Sequence, residues 1–228
     1  MKLVQKFFYA PGAQAFYGQD GLADENGFVI INGILLGYCG PGGFVSIPDN
    51  VTRIDEKAFW MCQSLTDVSI PERVKNIGSG AFHGCKGLAD ADGFVIKGGI
   101  LFDYAGQGGS VTVPEGVSEI DGGDYYGAFM HCRNLTSITL PNSLRHIGSS
   151  AFYNCSGMID VTVPSGVTDI GHEAFYGCSN LTSISIPETV NRIDGWAFFG
   201  CRWLTICAPA DSYAEQYARE QKIPFKAI

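Results

Sequence analysis

The sequence predicts a mainly β solenoid of coils about 23 residues long, with inserted β-hairpins and a C-terminal capping helix. Three observations carry that expectation. Cys62, Cys85, Cys132, Cys155, Cys178 and Cys201 are separated by 23, 47, 23, 23 and 23 residues. Ahead of each cysteine recur apolar-x-apolar-Pro, apolar-x-x-Ile and then Ala-Phe, the Phe always three residues before the Cys. The 228 residues include 30 Gly and 10 Pro, a density of turn formers that cuts the chain into short segments.

Taken in order, residues 1–24 read as a partial first coil, because Ala15-Phe16 precedes Ala81-Phe82 by 66 positions, with Gln19 where the Cys would stand. Segments 25–44 and 91–110 correspond at the same offset: NGFVIINGILLGYCGPGGFVSIP from Asn26 matches DGFVIKGGILFDYAGQGGSVTVP from Asp92. Each reads as a β-hairpin inserted between coils. Two apolar runs flank Asn32-Gly33 or Gly98-Gly99, dipeptides that tolerate the positive φ of a tight turn. Regular coils occupy 45–90 and 111–207, beginning at Val45, Val68, Val111, Ile138, Val161 and Ile184.

Within a coil, Leu65, Val68 and Ile70 face one side of a short strand while Ser69 turns outward, and Pro71 stops the strand. Val74 and Ile77 supply a second apolar pair, Gly78 suits a sharp bend, and Ala81-Phe82 plugs the remaining corner. The copy from Val111 is four residues longer between Ile120 and Ala128, so Gly122, Gly123, Asp124 and Tyr125 should bulge from it. Segment 208–228 should form the cap. There Ser212-Tyr213-Ala214-Glu215 is a capping box, opening a helix with Ala214, Tyr217, Ala218 and Gln221 on one face before Pro224. A lone coil buries about six large side chains worth about 1.5–3 kcal/mol each, too little against about 1–2 kcal/mol of backbone entropy per residue. Coils must therefore stack, and 1–228 reads as one domain.

The runs IPERVKNIGSGAFHGCKGL and VPSGVTDIGHEAFYGCSNLTSI resemble the BspA-like leucine-rich repeat family of bacterial surface proteins, directly over about residues 45–207. The hairpins and the ending APADSYAEQYAREQKIPF resemble segments that accompany such repeats. That resemblance implies a leucine-rich-repeat solenoid in a secreted or cell-surface adhesion and interaction module, extracellular or at the cell surface, without enzymatic activity in the repeats. The four-residue insertion, Met158 in place of Leu, and Gln19 depart from the pattern and touch only local regularity.

Composition narrows the function classes. The chain is 46% hydrophobic and 17% charged, with a net charge of −8, which disfavours both disorder and a phosphate-binding surface, so no nucleic acid is expected as partner. No apolar run reaches the length of a membrane span, and the start lacks the apolar core of a signal peptide. An equivalent Cys in every coil points to a buried ladder of small apolar residues, its S–H groups bonding to turn carbonyls, and hence to eight free thiols. Cys39 and Cys207 stand outside that ladder. No CxxC and no close Cys/His cluster marks a metal, and no cofactor is implied. His83, His131, His146 and His172 occupy different repeat positions and read as surface residues. The glycine runs at Gly40 and Gly106 precede strands and read as turns. Asp55, Asp121 and Asp194 sit at the bend position and read as local turn binders, so no catalytic residue emerges.

The remaining feature is the position after Ala-Phe, held by Trp60, His83, Met130, Tyr153, Tyr176 and Phe199, which would stack as a largely aromatic stripe. Such rings either shield the Phe corner or contact a ligand. Tyr125 and Tyr126 on the insertion are further aromatics expected at the surface. The candidate partner-binding residues are thus Trp60, Tyr125, Tyr126, Tyr153, Tyr176 and Phe199. The expected function is display of a repeated face to a protein or glycan; the alternative is a structural spacer of a larger surface protein with no dedicated ligand. A carbohydrate-processing enzyme would need a pair of carboxylates that the sequence does not single out.

Overall fold

The computed structural model describes residues 22–228. They form two compact units: residues up to Gly98 with Phe102–Ala105, and Gly99–Leu101 with Gly106–Ile228. The expected partial coil, with Ala15-Phe16, lies outside the described residues up to residue 21.

In the first unit, Phe28–Ile31 and Ile34–Tyr38 form an antiparallel hairpin closed by Asn32 and Gly33 at φ of 51° and 75°. Two positive φ values in succession are what the Asn-Gly pair supplies. The returning strand pairs in parallel with Arg53–Ile54, which pairs with Asn76–Ile77, so Leu35, Ile54 and Ile77 share one register line. The hairpin's second strand thus heads the corner ladder of the coils that follow it. A second parallel ladder joins Gly43–Ser46 to Leu65–Ser69, with Val45 opposite Val68 inside and Ser46 opposite Ser69 outside. The hairpin entry repeats. Asp24 Oδ1 accepts the N–H groups of Asn26 and Phe28, both at 2.9 Å, and Asp90 Oδ1 those of Asp92 and Phe94 at 3.0 and 2.9 Å.

In the second unit, Leu101, Ile120, Ile147, Ile170 and Ile193 occupy successive parallel corner strands, each buried. The longer strands pair as Gly109–Thr112 with Leu135–Thr139, and as Asp160–Thr162, Ser183–Ser185, Thr205–Ala208 and Phe225–Ala227. That last strand is absent from the sequence expectation. Between it and the preceding strand lies the helix Tyr213–Gln221, capped by Ser212 Oγ, which accepts the Glu215 N–H at 3.3 Å. The Glu215 carboxylate reaches back to the Asp211 N–H, one residue beyond the Ser212 N–H of a standard capping box. Ala214, Tyr217 and Ala218 are buried, and the Tyr217 ring meets Phe198 edge-on at 6.0 Å.

Stacked rings run through each unit. Phe129, Phe152, Phe175 and Phe198 lie 5.1, 5.0 and 5.4 Å apart and within 14° of parallel, while Phe59 and Phe82 stack at 5.0 Å. The Phe backbone is bound on both sides by the following coil. The N–H groups of Phe59, Phe129, Phe152 and Phe175 donate to the carbonyls of Ala81, Ala151, Ala174 and Ala197 at 2.8–2.9 Å. Their carbonyls accept the thiols of Cys85, Cys155, Cys178 and Cys201 at 2.9, 3.0, 3.2 and 3.1 Å. Ladder thiols thus bond to turn carbonyls, as the repeat implied. Outside the ladder, Cys39 donates to the Gly27 carbonyl at 3.4 Å and Cys207 lies 3.6 Å from Ser183 Oγ. Burial, with a second push from the neighbouring Cys, raises the Cys85 and Cys155 thiols well above the ordinary range. The Cys178 thiol is raised by its bond with Cys201 and then by burial.

The insertion is a miniature antiparallel hairpin, Gly122–Gly123 against Tyr126–Gly127. Tyr125 at its turn is 85% exposed, whereas Tyr126 is 3% exposed, which corrects the expectation that both face solvent. Successive residues of a strand point to opposite sides, so a hairpin that exposes one Tyr buries the next. The Tyr126 ring fills the space above Gly123, where a Cβ would sit 2.6 Å from it.

Two outcomes follow from this packing. Substituting Tyr125→Ala should leave the urea-unfolding free energy of the second unit within about 0.5 kcal/mol, whereas Tyr126→Ala should lower it by about 3 kcal/mol; equal effects would contradict the placement. In the native protein near neutral pH, Cys85, Cys155 and Cys178 should alkylate at least about a hundredfold more slowly than after denaturation. Denatured without reductant, all eight cysteines should react, and a count of half that or fewer would show bridges in place of the ladder.

Candidate functional site

Outside the Phe ladder, the residue after each Ala-Phe projects from the same corner, so its spacing is inherited from the stack. In the first unit, the Trp60 and His83 rings lie 4.7 Å apart at 36°, with Lys57 Nζ 5.4 Å from the Trp60 ring. Both rings are half-buried. In the second unit, Tyr153 and Tyr176 stack at 4.7 Å and 2°, and Tyr176 and Phe199 at 5.3 Å and 22°. Met130 carries no ring, and His131 beside it meets Tyr153 edge-on at 5.6 Å.

The structure adds a residue that the sequence reading missed. Trp196 stacks on Phe199 at 5.1 Å and 29°, extending the row. Its position, just ahead of Ala197-Phe198, is held by Lys57, Gly80, Gly127, Ser150 and Glu173 in the other copies, so a lone indole among polar and small residues was the available signal. Phe199 and Trp196 are 56% and 52% exposed, while Tyr153 and Tyr176 are half-buried. Trp60 belongs to the first unit, and Tyr125 and Tyr126 to the inserted hairpin.

Geometry decides what such a row can touch. Rings stacked nearly parallel cover one another's faces and offer edges and, for Tyr153 and Tyr176, hydroxyls; only the Phe199 and Trp196 end leaves wide apolar area open. Coil-to-coil polar contacts frame it. His172 Nδ1 donates to Asp194 Oδ1 at 2.8 Å, and the same oxygen accepts the Trp196 N–H at 3.2 Å. Asp194 is thus the local turn binder that its bend position suggested. Asp55 pairs with Arg53, and Asp121 is buried. The outward strand positions Thr139, Thr162 and Ser185 are small and polar, poor anchors for a partner. Among the described residues no cluster of three or more His, Cys, Asp or Glu could hold a metal ion, and no helix is long and apolar enough to cross a membrane.

Comparison with known proteins agrees with this architecture. No curated protein matches the chain. Among solved structures, a leucine rich cell surface protein from Faecalibacterium prausnitzii A2-165 is similar, with a TM-score of 0.52 and 26% identity over 81% of this chain and 59% of that one. The chain thus spans less than two thirds of that protein's length. The Treponema pallidum leucine rich repeat protein is 29% identical over 85% of this chain and 89% of its own, with a TM-score of 0.41. A leucine-rich repeat protein from Bacteroides ovatus is 30% identical over 81% and 44%, with a TM-score of 0.39. The family model for the BspA type leucine rich repeat region matches six copies within residues 36–92 and 99–218. Matched over most of its length by that repeat, the chain belongs to the BspA type leucine-rich repeat family.

Proposed function

We propose that the chain is a non-enzymatic interaction module displayed outside the cell, which binds a protein or glycan partner through the aromatic row of the second unit. The observation that carries this reading is the run Tyr153, Tyr176, Phe199 and Trp196, four rings in unbroken contact over three successive coils with two of them more than half exposed. Large apolar rings held rigid by their neighbours lose little side-chain freedom when a partner arrives, so more of the contact energy is kept as affinity. The cell-surface description of the similar Faecalibacterium prausnitzii protein supports the same location for this chain. Display fits the chemistry better than turnover, because the carboxylates beside the row are engaged in turn and coil-to-coil bonds.

Screening against immobilised extracellular-matrix proteins and a glycan array is the direct test. Where binding is found, replacing Tyr153 and Tyr176 together by Ala should weaken it about tenfold or more, and Tyr125→Ala should leave it unchanged. Binding that survives the double substitution would refute the aromatic row as the site, and an empty screen would favour a spacer.

A further inference from the structure

Two histidines of the second unit bridge successive coils. His146 Nδ1 lies 2.6 Å from Asp169 Oδ2, and His172 Nδ1 lies 2.8 Å from Asp194 Oδ1. Only the second pair reaches the aromatic row. Asp194 Oδ1 also accepts the Trp196 N–H, and the His172 and Trp196 rings are 6.5 Å apart. One carboxylate oxygen therefore holds both an imidazole from one coil and the backbone of the ring that extends the row on the next.

We propose that the His172–Asp194 pair is a proton-dependent clasp that seats Trp196 against Phe199, so that the row is held more firmly as the imidazole gains its proton. Its consequence for binding rests on the function proposed above; its geometry does not. The charged groups facing His172 are Asp194 on the next coil, Glu173 beside it with Oε1 3.8 Å from Nε2, and Asp124 on the inserted hairpin. Arg192 acts on Asp194. The hydrogen bond to Asp194, followed by the pull of all three carboxylates and opposed by burial, raises His172 above its ordinary 6.5. For Asp194, burial pushes upward but is outweighed by the bonds from His172 and the Trp196 N–H and by the nearby cations, so its carboxyl is lowered and stays ionised through the imidazole range.

The sign follows from linkage. A histidine raised on folding contributes stability that is fully present below its unfolded value and lost as pH rises through the higher folded one. Both partners are partly exposed, at 43% and 34%, so solvent screening keeps the effect modest.

The test uses the full chain with Trp60→Phe and Trp203→Phe, which leaves Trp196 as the sole indole. An imidazolium beside an indole quenches its emission, so Trp196 fluorescence should titrate with a midpoint above 6.5. Asp194→Asn should move that midpoint downward, and His172→Gln should abolish the titration. The melting temperature of His172→Gln should fall below that of its parent by about 1–3 °C at mildly acid pH, with the gap closing at alkaline pH. A titration that persists in His172→Gln, or a midpoint unmoved by Asp194→Asn, would overturn the clasp. No partner is needed, so that failure leaves the aromatic-row reading standing, just as binding indifferent to Tyr153 and Tyr176 would leave the titration intact.

Discussion

The backbone of a ladder Phe is bound twice by the coil that follows, and the stacking of coils depends on that pair of bonds. The Phe carbonyl accepts the backbone N–H of its own coil's Cys, as in Cys62 to Phe59 and Cys132 to Phe129 at 3.0 Å, and has a second lone pair to offer. The Cys three residues after the next coil's Phe fills it with an S–H, at 2.9–3.2 Å for Phe59, Phe129, Phe152 and Phe175. Cysteine suits the position because it packs as a small apolar residue while keeping one weak donor. The Phe N–H is met by the Ala carbonyl of that same next coil. Phe, Ala and Cys are therefore one device, and the strict spacing among them follows from that.

Where the regular coils stop among the described residues, other elements take over the packing. At the C-terminal end Tyr217 closes the Phe ladder edge-on, and the strand Phe225–Ala227 pairs with Thr205–Ala208 to finish the sheet. At the start of the described chain, Tyr38 meets Phe59 at 5.2 Å and Phe28 covers Tyr38 at the same distance. In both places an aromatic ring from another element continues the Phe column among the described residues. The outer aromatic row inherits the same pitch, which is why Tyr153 and Tyr176 stack without any contact of their own having to set the distance.

The features legible in the sequence were those that a local rule or the period dictates. The Cys and Phe ladders, the inward Ile of each corner strand, the Asn32-Gly33 turn and the Ser212 cap are all fixed by nearest-neighbour chemistry. What escaped depended on packing between elements. Tyr126 is buried because the hairpin folds back over Gly123, a contact that adjacent Tyr residues do not announce. Phe225–Ala227 is a strand because Thr205–Ala208 offers it an unpaired edge, although its own sequence has little alternation. Trp196 joins the row because Asp194 fixes the turn ahead of it, a bond that the residue type at position 194 alone does not announce.

The parallel ladders of the second unit also set how it would bear load. In one sheet the corner strands run from Ile100-Leu101 to Arg192–Ile193, and in another the longer strands run from Asp160–Thr162 to Phe225–Ala227, with the pairing bonds directed from strand to strand. Tension drawn between those extremes acts along the bonds rather than across many of them at once. The rungs then give way one at a time rather than together, so the unit would yield in steps under traction.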